Sequence, residues 1–291
     1  MTLDQLKIFL AVAEHGHVTR AAAALNLAQS SVSSAISALE ARHDVALFNR
    51  VGRRIELSAE GRVFVEAARA VLREARQAET MLAELGGVRR GSLSVFASQT
   101  IANFWLPKRI VAFKERYPQI DLTVHIGNTA ESAAAVHEGT AEIGLIEGEI
   151  DQPTLQAELV GHDNLVLVVG RGHDWAARRP ALPGDFARTR WALREAGSGT
   201  RDSFERTIAR LGLSPAALDV DFALPSNESV CATVASSSRH ATVVSEAVAR
   251  AGVEAGSLVI VPFGFEAREF RLIRHRERAS SRAARAFVEL L

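Results

Sequence analysis

The chain contains very little cysteine, and this excludes several classes of site. Of its 291 residues only Cys231 is a cysteine, so no disulfide can form within the chain and zinc sites built from paired cysteines are excluded. We interpret Cys231, which lies between Val230 and Ala232 in a predicted helix, as core packing rather than as an oxidant sensor. A lone thiol fits a protein of the reducing cytoplasm.

Net charge and long apolar runs are also missing. The 34 basic residues are balanced by 34 acidic residues, which argues against a protein that coats nucleic acid without specificity. No apolar run approaches the roughly 20 residues of a membrane span, and the first residues lack the layout of a signal peptide. We therefore expect no membrane association and a cytoplasmic location. The length and the 47% of hydrophobic residues suit two or three domains.

The motifs of common catalytic and cofactor sites do not occur either. The nine histidines form no H-E-x-x-H zinc motif. Gly197-Ser198-Gly199 lacks the spacing of a nucleophile elbow, and no lysine follows it to complete a phosphate-binding loop. The sequence therefore predicts no catalytic centre, no metal site and no cofactor.

What the sequence does contain is a strong local pattern in residues 17–62. A short alanine-rich helix is followed by Asn26, which suits a left-handed turn. In the next predicted helix, which begins at Gln29, the apolar residues Val32 and Ile36 share one face and short polar residues occupy the other. This polar face is suited to a DNA major groove.

A basic hairpin is predicted after the second helix, at residues 47–57. Arg50, Arg53 and Arg54 lie near its tip without an intervening acid. A small helical core with a solvated basic turn is the alternative, but the order of helix, turn, helix and basic wing favours a winged helix-turn-helix that binds double-stranded DNA. The residues that we predict to contact DNA are Thr19, Arg20, Gln29, Ser30, Ser31, Ser33, Ser34, Ser37, Arg50, Arg53 and Arg54.

This segment resembles the amino-terminal domain of LysR-type transcriptional regulators. It departs from the family pattern at His17, where serine is usual, at Ala28, where Ser or Thr would cap the helix, and at Ser58, where threonine is usual. An arginine often found near position 34 is also missing, so base discrimination is expected to depend on Gln29, the serines and DNA shape. The matching residues include Thr19, Ala21, Ala22, Leu25, Gln29, Ser30, Val32, Ser33, Ile36, Leu39, Glu40, Leu47, Phe48, Arg50, Arg53, Leu57 and Gly61.

A long helix is predicted from Ser58 to Leu85, because the segment has no proline and a loose apolar stripe. About 28 residues would extend about 42 Å, which is too long to pack on the winged domain alone. We predict that the stripe pairs with the same helix of a second subunit, as linker helices of LysR-type regulators do. The alternative is packing on the second domain of the same chain. The stripe comprises Val65, Ala68, Leu72, Ala75, Met81 or Leu82, and Leu85.

After a glycine-rich hinge, strands and helices alternate, which implies parallel sheets with right-handed crossovers and suits two α/β lobes with a cleft. The predicted fold is α/β, with a winged helix-turn-helix, a long linker helix and, as the family resemblance implies, a two-lobed periplasmic-binding-protein-like (type 2) effector domain. The predicted domains are 1–58 for DNA binding, 59–87 for the linker and dimerisation helix, and 88–291 for effector binding, with lobe I at 92–161 and 266–291 and lobe II at 162–265.

Three loops that lead from a strand into a helix are candidates for ligand binding. Such loops present hydroxyls and unpaired N–H groups that favour an anion, and Arg201 would add positive charge. The alternative is that the hydroxyls only cap helices. The predicted effector-binding residues are Ser98, Gln99, Thr100, Asn128, Thr129, Ser198, Gly199, Thr200 and Arg201.

The segments ASQTIANFWLP, HIGNT and GLIEGE resemble the branch of the family that regulates sulfite-reductase and sulfur-assimilation genes and is related to carbon-fixation regulators. This resemblance implies a small oxyanion such as sulfite or sulfate. Glu147 and Glu149 are expected to be solvated, either on a rim or as selectors of a cationic group. Arg239 and His240 replace a glycine-containing turn of the family, and we favour covering of the turn over facing the cleft.

The function that these features predict is an effector-responsive DNA-binding transcriptional regulator, acting as a dimer or a tetramer of itself. Ligand binding would alter lobe closure, DNA bending and the access of RNA polymerase. One alternative is a solute-binding protein, which needs an export signal and has no use for residues 17–62. The other is an enzymatic α/β domain with an appended DNA-binding head, which would need a nucleophile or a metal.

Overall fold

The computed structural model describes residues 1–51, 54–85, 91–177 and 184–291. The chain divides into two compact units, Met1–Gly86 and Gly87–Leu291. Among the described residues, no helix is both long enough and apolar enough to cross a membrane.

The first unit is a helix-turn-helix followed by a two-stranded wing and a long helix. Asn26 adopts the predicted left-handed conformation, with a φ of 54°, in the turn between the second and third helices. The wing is an antiparallel hairpin in which Phe48 pairs with Leu57. The elements are α1 (Leu3–His15), α2 (Val18–Ala24), α3 (Gln29–His43), β1 (Phe48–Val51), β2 (Arg54–Leu57) and α4 (Ala59–Leu85).

A single core holds this unit together. Phe9 of α1 is fully buried, and its ring contacts those of Phe48 and Phe64 at centroid distances of 5.3 and 5.0 Å. The helix α4 belongs to this core through Ala68 and Leu72. It also approaches the wing closely, because a Cβ at Gly61 would lie 2.1 Å from the carbonyl oxygen of Leu47.

The second unit contains two five-stranded sheets. A π-helical turn lies at Ile101–Trp105, and short 3-10 turns lie at Asp174–Ala176 and Pro215–Ala217. The strands and α-helices are β3 (Gly91–Ser98), α5 (Pro107–Arg116), β4 (Ile120–Gly127), α6 (Thr129–Glu138), β5 (Ile143–Glu147), β6 (Leu155–Asp163), β7 (Leu165–Gly170), β8 (Arg190–Arg194), α7 (Gly199–Arg210), β9 (Asp219–Leu224), α8 (Asn227–Ala235), β10 (His240–Ser245), α9 (Glu246–Glu254), β11 (Leu258–Val261), β12 (Arg268–His275) and α10 (Arg282–Val288).

The sheets are mixed rather than parallel, so the prediction of parallel sheets was wrong in part. The first sheet has the order β4-β3-β5-β12-β6, and the second has the order β11-β7-β10-β8-β9. Strands β3, β4 and β5 are parallel, as are β8, β9 and β10, because helices connect them. Strands β7 and β12, by which the chain enters each sheet from the other, run antiparallel to both of their neighbours.

The chain crosses between the two sheets twice. It leaves the first sheet at Asp163, enters the second at Leu165, and returns from Val261 to Arg268. We call the first sheet with α5, α6 and α10 the first lobe, and the second sheet with α7, α8 and α9 the second lobe. Each lobe has its own apolar core. The core of the second lobe is rich in aromatic rings, among them Trp191 and Phe204, whose ring centroids lie 4.7 Å apart.

Candidate functional site

The helix α3 carries more than half of the residues that the sequence predicts to contact DNA. Val32, Ile36 and Leu39 are buried on the other face, as the spacing predicts. The amide of Gln29 donates to the hydroxyl of Ser33 at 3.3 Å. Ser33 is half-buried, and the exposed residues of the predicted set on α2 and α3 are Thr19, Arg20, Gln29, Ser30, Ser31, Ser34 and Ser37.

The wing is fixed to α3 by a carboxylate whose role the sequence analysis missed. One oxygen of Glu40 accepts hydrogen bonds from the backbone N–H groups of Leu47 and Phe48, at 2.7 and 3.1 Å. These are the residues with which the wing begins, so its direction is set from the third helix. The only signal that the sequence offers for this contact is an acidic residue in the last turns of the helix that precedes the wing.

The three arginines predicted at the wing tip are only partly described. Arg53 lies outside the described residues, and for Arg50 and Arg54 the structure describes the strand backbone but not the side chains. Their contribution to DNA binding therefore stays a prediction.

Two departures from the family pattern are structurally compensated, and one is not. The imidazole Nδ1 of His17 accepts from the N–H of Thr19 at 3.2 Å, so it caps α2. The hydroxyl of Ser58 accepts from the N–H of Gly61 at 2.8 Å and performs the same function for α4. Ala28 precedes α3 without a side-chain cap.

The apolar stripe of α4 divides into two parts. Leu72 is buried in the core of its own unit, as is Ala68. In contrast, Leu82 of the stripe is 70% exposed, and two valines outside the predicted stripe, Val63 at 77% and Val71, are exposed as well. The prediction that Leu72 faces a second subunit is therefore wrong, because this side chain already fills the core of the winged unit.

In the second unit, the structure brings the three candidate loops together between the lobes. The N–H of Ala130, at the start of α6, donates to the carbonyl oxygen of Gly197 at 3.1 Å. A Cβ at Gly199 would lie 2.6 Å from the carbonyl oxygen of Glu147 and 2.7 Å from the hydroxyl oxygen of Thr129. Glycine is thus required at position 199, where the loop of the second lobe meets the first lobe.

Most of the hydroxyls in these loops do not cap helices. Thr100 and Ser198 are buried and make no capping hydrogen bond. Ser98 is 1% exposed, and its hydroxyl has no hydrogen-bond partner among the described residues. Asn128 does cap α6, through its hydrogen bond with the N–H of Glu131. The hydroxyl of Ser98, buried without a partner in the part of the chain that the structure describes, is the first candidate for ligand binding, and that of Ser198, which caps no helix, is the second.

An arginine that the sequence analysis missed lies among these hydroxyls. The side chain of Arg268 is 3% exposed, and it pairs with Asp163 through Nε and Nη2 at 2.9 and 2.6 Å. Its Nη1 donates to the hydroxyl of Thr200 at 2.8 Å and its Nη2 to that of Thr100 at 3.4 Å. Its Nη2 also lies 3.7 Å from a carboxylate oxygen of Glu147.

A second buried arginine holds the other side of the cleft. Arg194 donates to both carboxylate oxygens of Glu195 and to the side-chain oxygen of Asn227. Glu195 in turn accepts from the side-chain amide of Asn128 at 3.2 Å. Burial alone would raise the pKa of Glu195, but its hydrogen bonds with Arg194 and the charge of that residue hold the pKa below its ordinary value.

The predicted cationic residue of the cleft, Arg201, is engaged elsewhere. Its Nε donates to Glu205 at 2.7 Å and its Nη1 to the carbonyl oxygen of Arg194 at 3.3 Å. The remaining predicted residue, Gln99, connects the lobes, since its side chain donates to the carbonyl oxygen of Pro225 and accepts from the N–H of Asn227.

Of the two acids expected to be solvated, Glu147 at the end of β5 and Glu149 just after it, the expectation was correct for one. Glu149 is solvated, with a side chain that is 75% exposed, whereas Glu147 is 4% exposed and accepts from the hydroxyl of Thr129 at 3.4 Å. Glu147 is buried because it ends a strand whose residues are all buried, at the point where α7 packs on β5.

His240 covers the turn, as we favoured, and does not face the cleft. His240 begins β10, and its ring bonds to Asp221 at 2.9 Å and to Ser237 at 2.7 Å. The opposite end of β10, at Ser245, adjoins Asp163. Arg239 is exposed.

Burial shifts the pKa of two further side chains of the second unit, the lone thiol and a buried histidine. Burial raises the pKa of Cys231 to about 11, so the thiol is protonated at neutral pH. Burial also lowers the pKa of His173, whose Nδ1 accepts from the N–H of Trp175. Within the described ranges, no group of three or more His, Cys, Asp or Glu side chains is placed to hold a metal ion.

Known proteins resemble this chain along its whole length. Residues 3–62 match the bacterial regulatory helix-turn-helix protein family of lysR type, and residues 86–291 match the LysR substrate binding domain. The HTH-type transcriptional regulator YeiE of Escherichia coli is 32% identical over 99% of this chain and 96% of its own length. CysL of Bacillus subtilis, also an HTH-type transcriptional regulator, is 32% identical over 79% of this chain and 76% of its own length.

Solved structures agree on the fold. The full-length regulator CbnR, crystallised with its target DNA, has a TM-score of 0.71 at 22% identity and covers 100% of this chain and 98% of its own. Both the DNA-binding and the two-lobed parts are therefore matched in one molecule. The chain belongs to the LysR family: it is a DNA-binding transcriptional regulator with an effector-binding domain, and it is not an enzyme.

Proposed function

We propose that this regulator responds to a small anion bound between the two lobes, and that this anion is a sulfur oxyanion such as sulfite or sulfate. The unpartnered, buried hydroxyl of Ser98 carries this proposal. A buried hydroxyl without a partner costs free energy, and a ligand oxygen would relieve that cost. The resemblance of the first-lobe segments to regulators of sulfur genes supports the choice of oxyanion.

Hydrogen bonding, rather than a free positive charge, would supply the affinity. Arg194 and Arg268 are already paired with carboxylates. What the loops offer instead are the hydroxyls of Ser98 and Ser198 and the first-turn N–H groups of α7, which favour negative charge. Oxyanions accept hydrogen bonds from several directions, so they suit this donor set.

Calorimetry with sulfite, sulfate, thiosulfate and small carboxylates tests the proposal. Ser98→Ala should weaken binding of the active anion about ten- to a hundredfold, because a hydrogen bond to a charged ligand contributes roughly 1.5–3 kcal/mol. Thr242→Val is the matched control, since Thr242, on β10, carries the other buried hydroxyl that has no partner among the described residues. Equal affinities of the Ser98→Ala and parent chains would place the anion elsewhere.

We also propose that the exposed face of α3 reads bases and that the wing contacts phosphates. Gln29, held by Ser33, presents an amide that pairs with adenine, and its replacement by alanine should cost roughly 1–3 kcal/mol on the preferred sequence only. Replacing Arg53 and Arg54 by alanine should weaken binding to every sequence and flatten the salt dependence by about one to two units. Equal losses for Gln29→Ala on specific and random DNA would refute base reading.

Pairing of two copies is the third element of the proposal. Val63, Val71 and Leu82 leave an apolar surface on α4, and a second α4 would cover it. Two paired helices would bring two winged units to one DNA site in the cytoplasm, as a dimer or within a tetramer. Lobe closure would then change the DNA bend and the access of RNA polymerase.

A further inference from the structure

The two strand crossings that connect the lobes are joined by one buried ion pair. Asp163 ends β6 where the chain enters the second lobe, and Arg268 begins β12 where the chain returns. The hydroxyl of Ser245, at the end of β10 in the second lobe, donates to the other oxygen of Asp163 at 2.7 Å. The carboxylate of Asp163, at the first crossing, is therefore bound both to Arg268 at the second crossing and to Ser245 of the second lobe.

The remaining donors of Arg268 reach the cleft loops of both lobes. Thr100 belongs to the first lobe and Thr200 to the second, and each hydroxyl accepts from the same guanidinium. Thr100 also accepts from the amide of Asn227 at 3.4 Å. Because a guanidinium is planar and its donors are fixed relative to one another, the position of Asp163 determines where these hydroxyls can lie.

We propose that Arg268 is a positioning residue for lobe closure, which transmits the geometry of the hinge at Asp163 to the hydroxyls of both cleft loops. This inference rests on the proposed function only in one respect, namely that effector binding would act through lobe closure. The contacts themselves join the two lobes directly. Loss of the pair should therefore loosen the contact between the lobes and leave each lobe folded.

Two backbone amides report directly on lobe contact. The N–H of Ala130 donates to Gly197, and the N–H of Asn227 donates to the side chain of Gln99. Both lie in the first turn of a helix, where the helix itself offers no acceptor. Their hydrogen exchange therefore measures the opening of the cleft, whereas buried strand amides such as those of Leu145 and Val168 measure the folding of each lobe.

The experiment compares residue-resolved hydrogen exchange in the full chain and its variants, without added effector. Arg268→Gln and Asp163→Asn should each speed exchange at Ala130 and Asn227 by roughly tenfold or more, since each breaks charged hydrogen bonds. Exchange at Leu145 and Val168 should change much less. Arg268→Lys keeps the positive charge but lacks the planar guanidinium with its fixed donors. Exchange at Ala130 and Asn227 should therefore be slower in this variant than in Arg268→Gln.

A matched control lies on the same pair of strands. Arg274 of β12 donates to Glu158 of β6 at 3.1 Å, at an exposed site away from the crossings. Arg274→Gln should leave exchange at Ala130 and Asn227 unchanged. Unchanged exchange in both Arg268→Gln and Asp163→Asn would overturn the proposal, as would equal acceleration at all four amides, which would indicate a loss of general stability. Because no anion is added, this result is independent of the calorimetric test of the effector.

Discussion

The two units of this regulator place their polar residues in opposite environments. In the first unit, Gln29 and Ser30 are exposed on a helix whose other face is buried. In the second, Ser98 and Thr200 are almost fully buried and Arg268 connects the loops around them. A substitution on the exposed face removes a contact with a partner, whereas a substitution among the buried residues also changes how two lobes fit together.

The largest effect that we expect concerns the same contrast within α4. Leu72→Ala should lower the free energy of unfolding of the first unit by about 2–5 kcal/mol, because it leaves a cavity in the core. Leu82→Ala should change it by at most about 0.5 kcal/mol, since this side chain is exposed in the unit. Hydrogen exchange of buried amides in α1 measures both effects in the full chain.

The exposed side chain should matter for pairing instead. Leu82→Glu places like charges on the proposed surface between two copies and should shift sedimentation toward the monomer. A dimer that survives this change, or equal effects of Leu72→Ala and Leu82→Ala on the exchange of α1, would contradict the division of the stripe.

An intermediate effect is expected where the lobes meet. Gly199→Ala adds a Cβ that would lie 2.6 Å from the carbonyl oxygen of Glu147, so the loops must separate. Overpacking of this kind costs roughly 1–3 kcal/mol, and calorimetry should show about ten- to a hundredfold weaker binding of the active anion. Gly264→Ala is the control, because a Cβ there meets no atom within 4 Å. Equal binding by the two variants would show that closure is not needed.

The smallest expected effect is a pH dependence of the second unit. Burial lowers the pKa of His173 in the folded state, so the unfolded chain binds more protons once the pH falls below about 6.5. The contribution of the neutral imidazole to stability is complete above that pH and is lost as the pH falls toward the lowered pKa.

Tryptophan fluorescence can follow this transition, because Trp105, Trp175 and Trp191 are the only tryptophans and all lie in the second unit. His173→Asn keeps a capping acceptor without the titration and should flatten the acid side of the unfolding profile. His125→Asn, at an exposed histidine, should leave the profile as it is. An unaltered profile in His173→Asn would assign the acid sensitivity to other groups.

The sequence was sufficient for features that depend on neighbours along the chain. The spacing of Val32, Ile36 and Leu39 predicted the buried face of α3, and Asn26 predicted the left-handed turn. These succeed because helix periodicity and backbone preference are local properties.

The interior of the cleft was beyond such reasoning. Arg268 lies 105 residues from Asp163 and 168 from Thr100, and no local pattern distinguishes it from the other arginines of β12. The sequence likewise suggested Arg201 as the cation of the cleft, although Glu205, one helical turn away, accepts its hydrogen bond. The burial of Leu72 within its own unit was missed, because an apolar stripe in a sequence does not indicate which part of the molecule covers it.

The most direct test of the account is DNA binding measured while the active anion is titrated. Genomic DNA retained by the purified full chain supplies the operator, and the anion is the one that binds most strongly in calorimetry. We predict that Ser98→Ala binds this DNA with the parent affinity when no anion is present, and needs about ten- to a hundredfold more anion for the same response. An identical anion response in the two chains, or loss of DNA binding by Ser98→Ala without anion, would contradict the account.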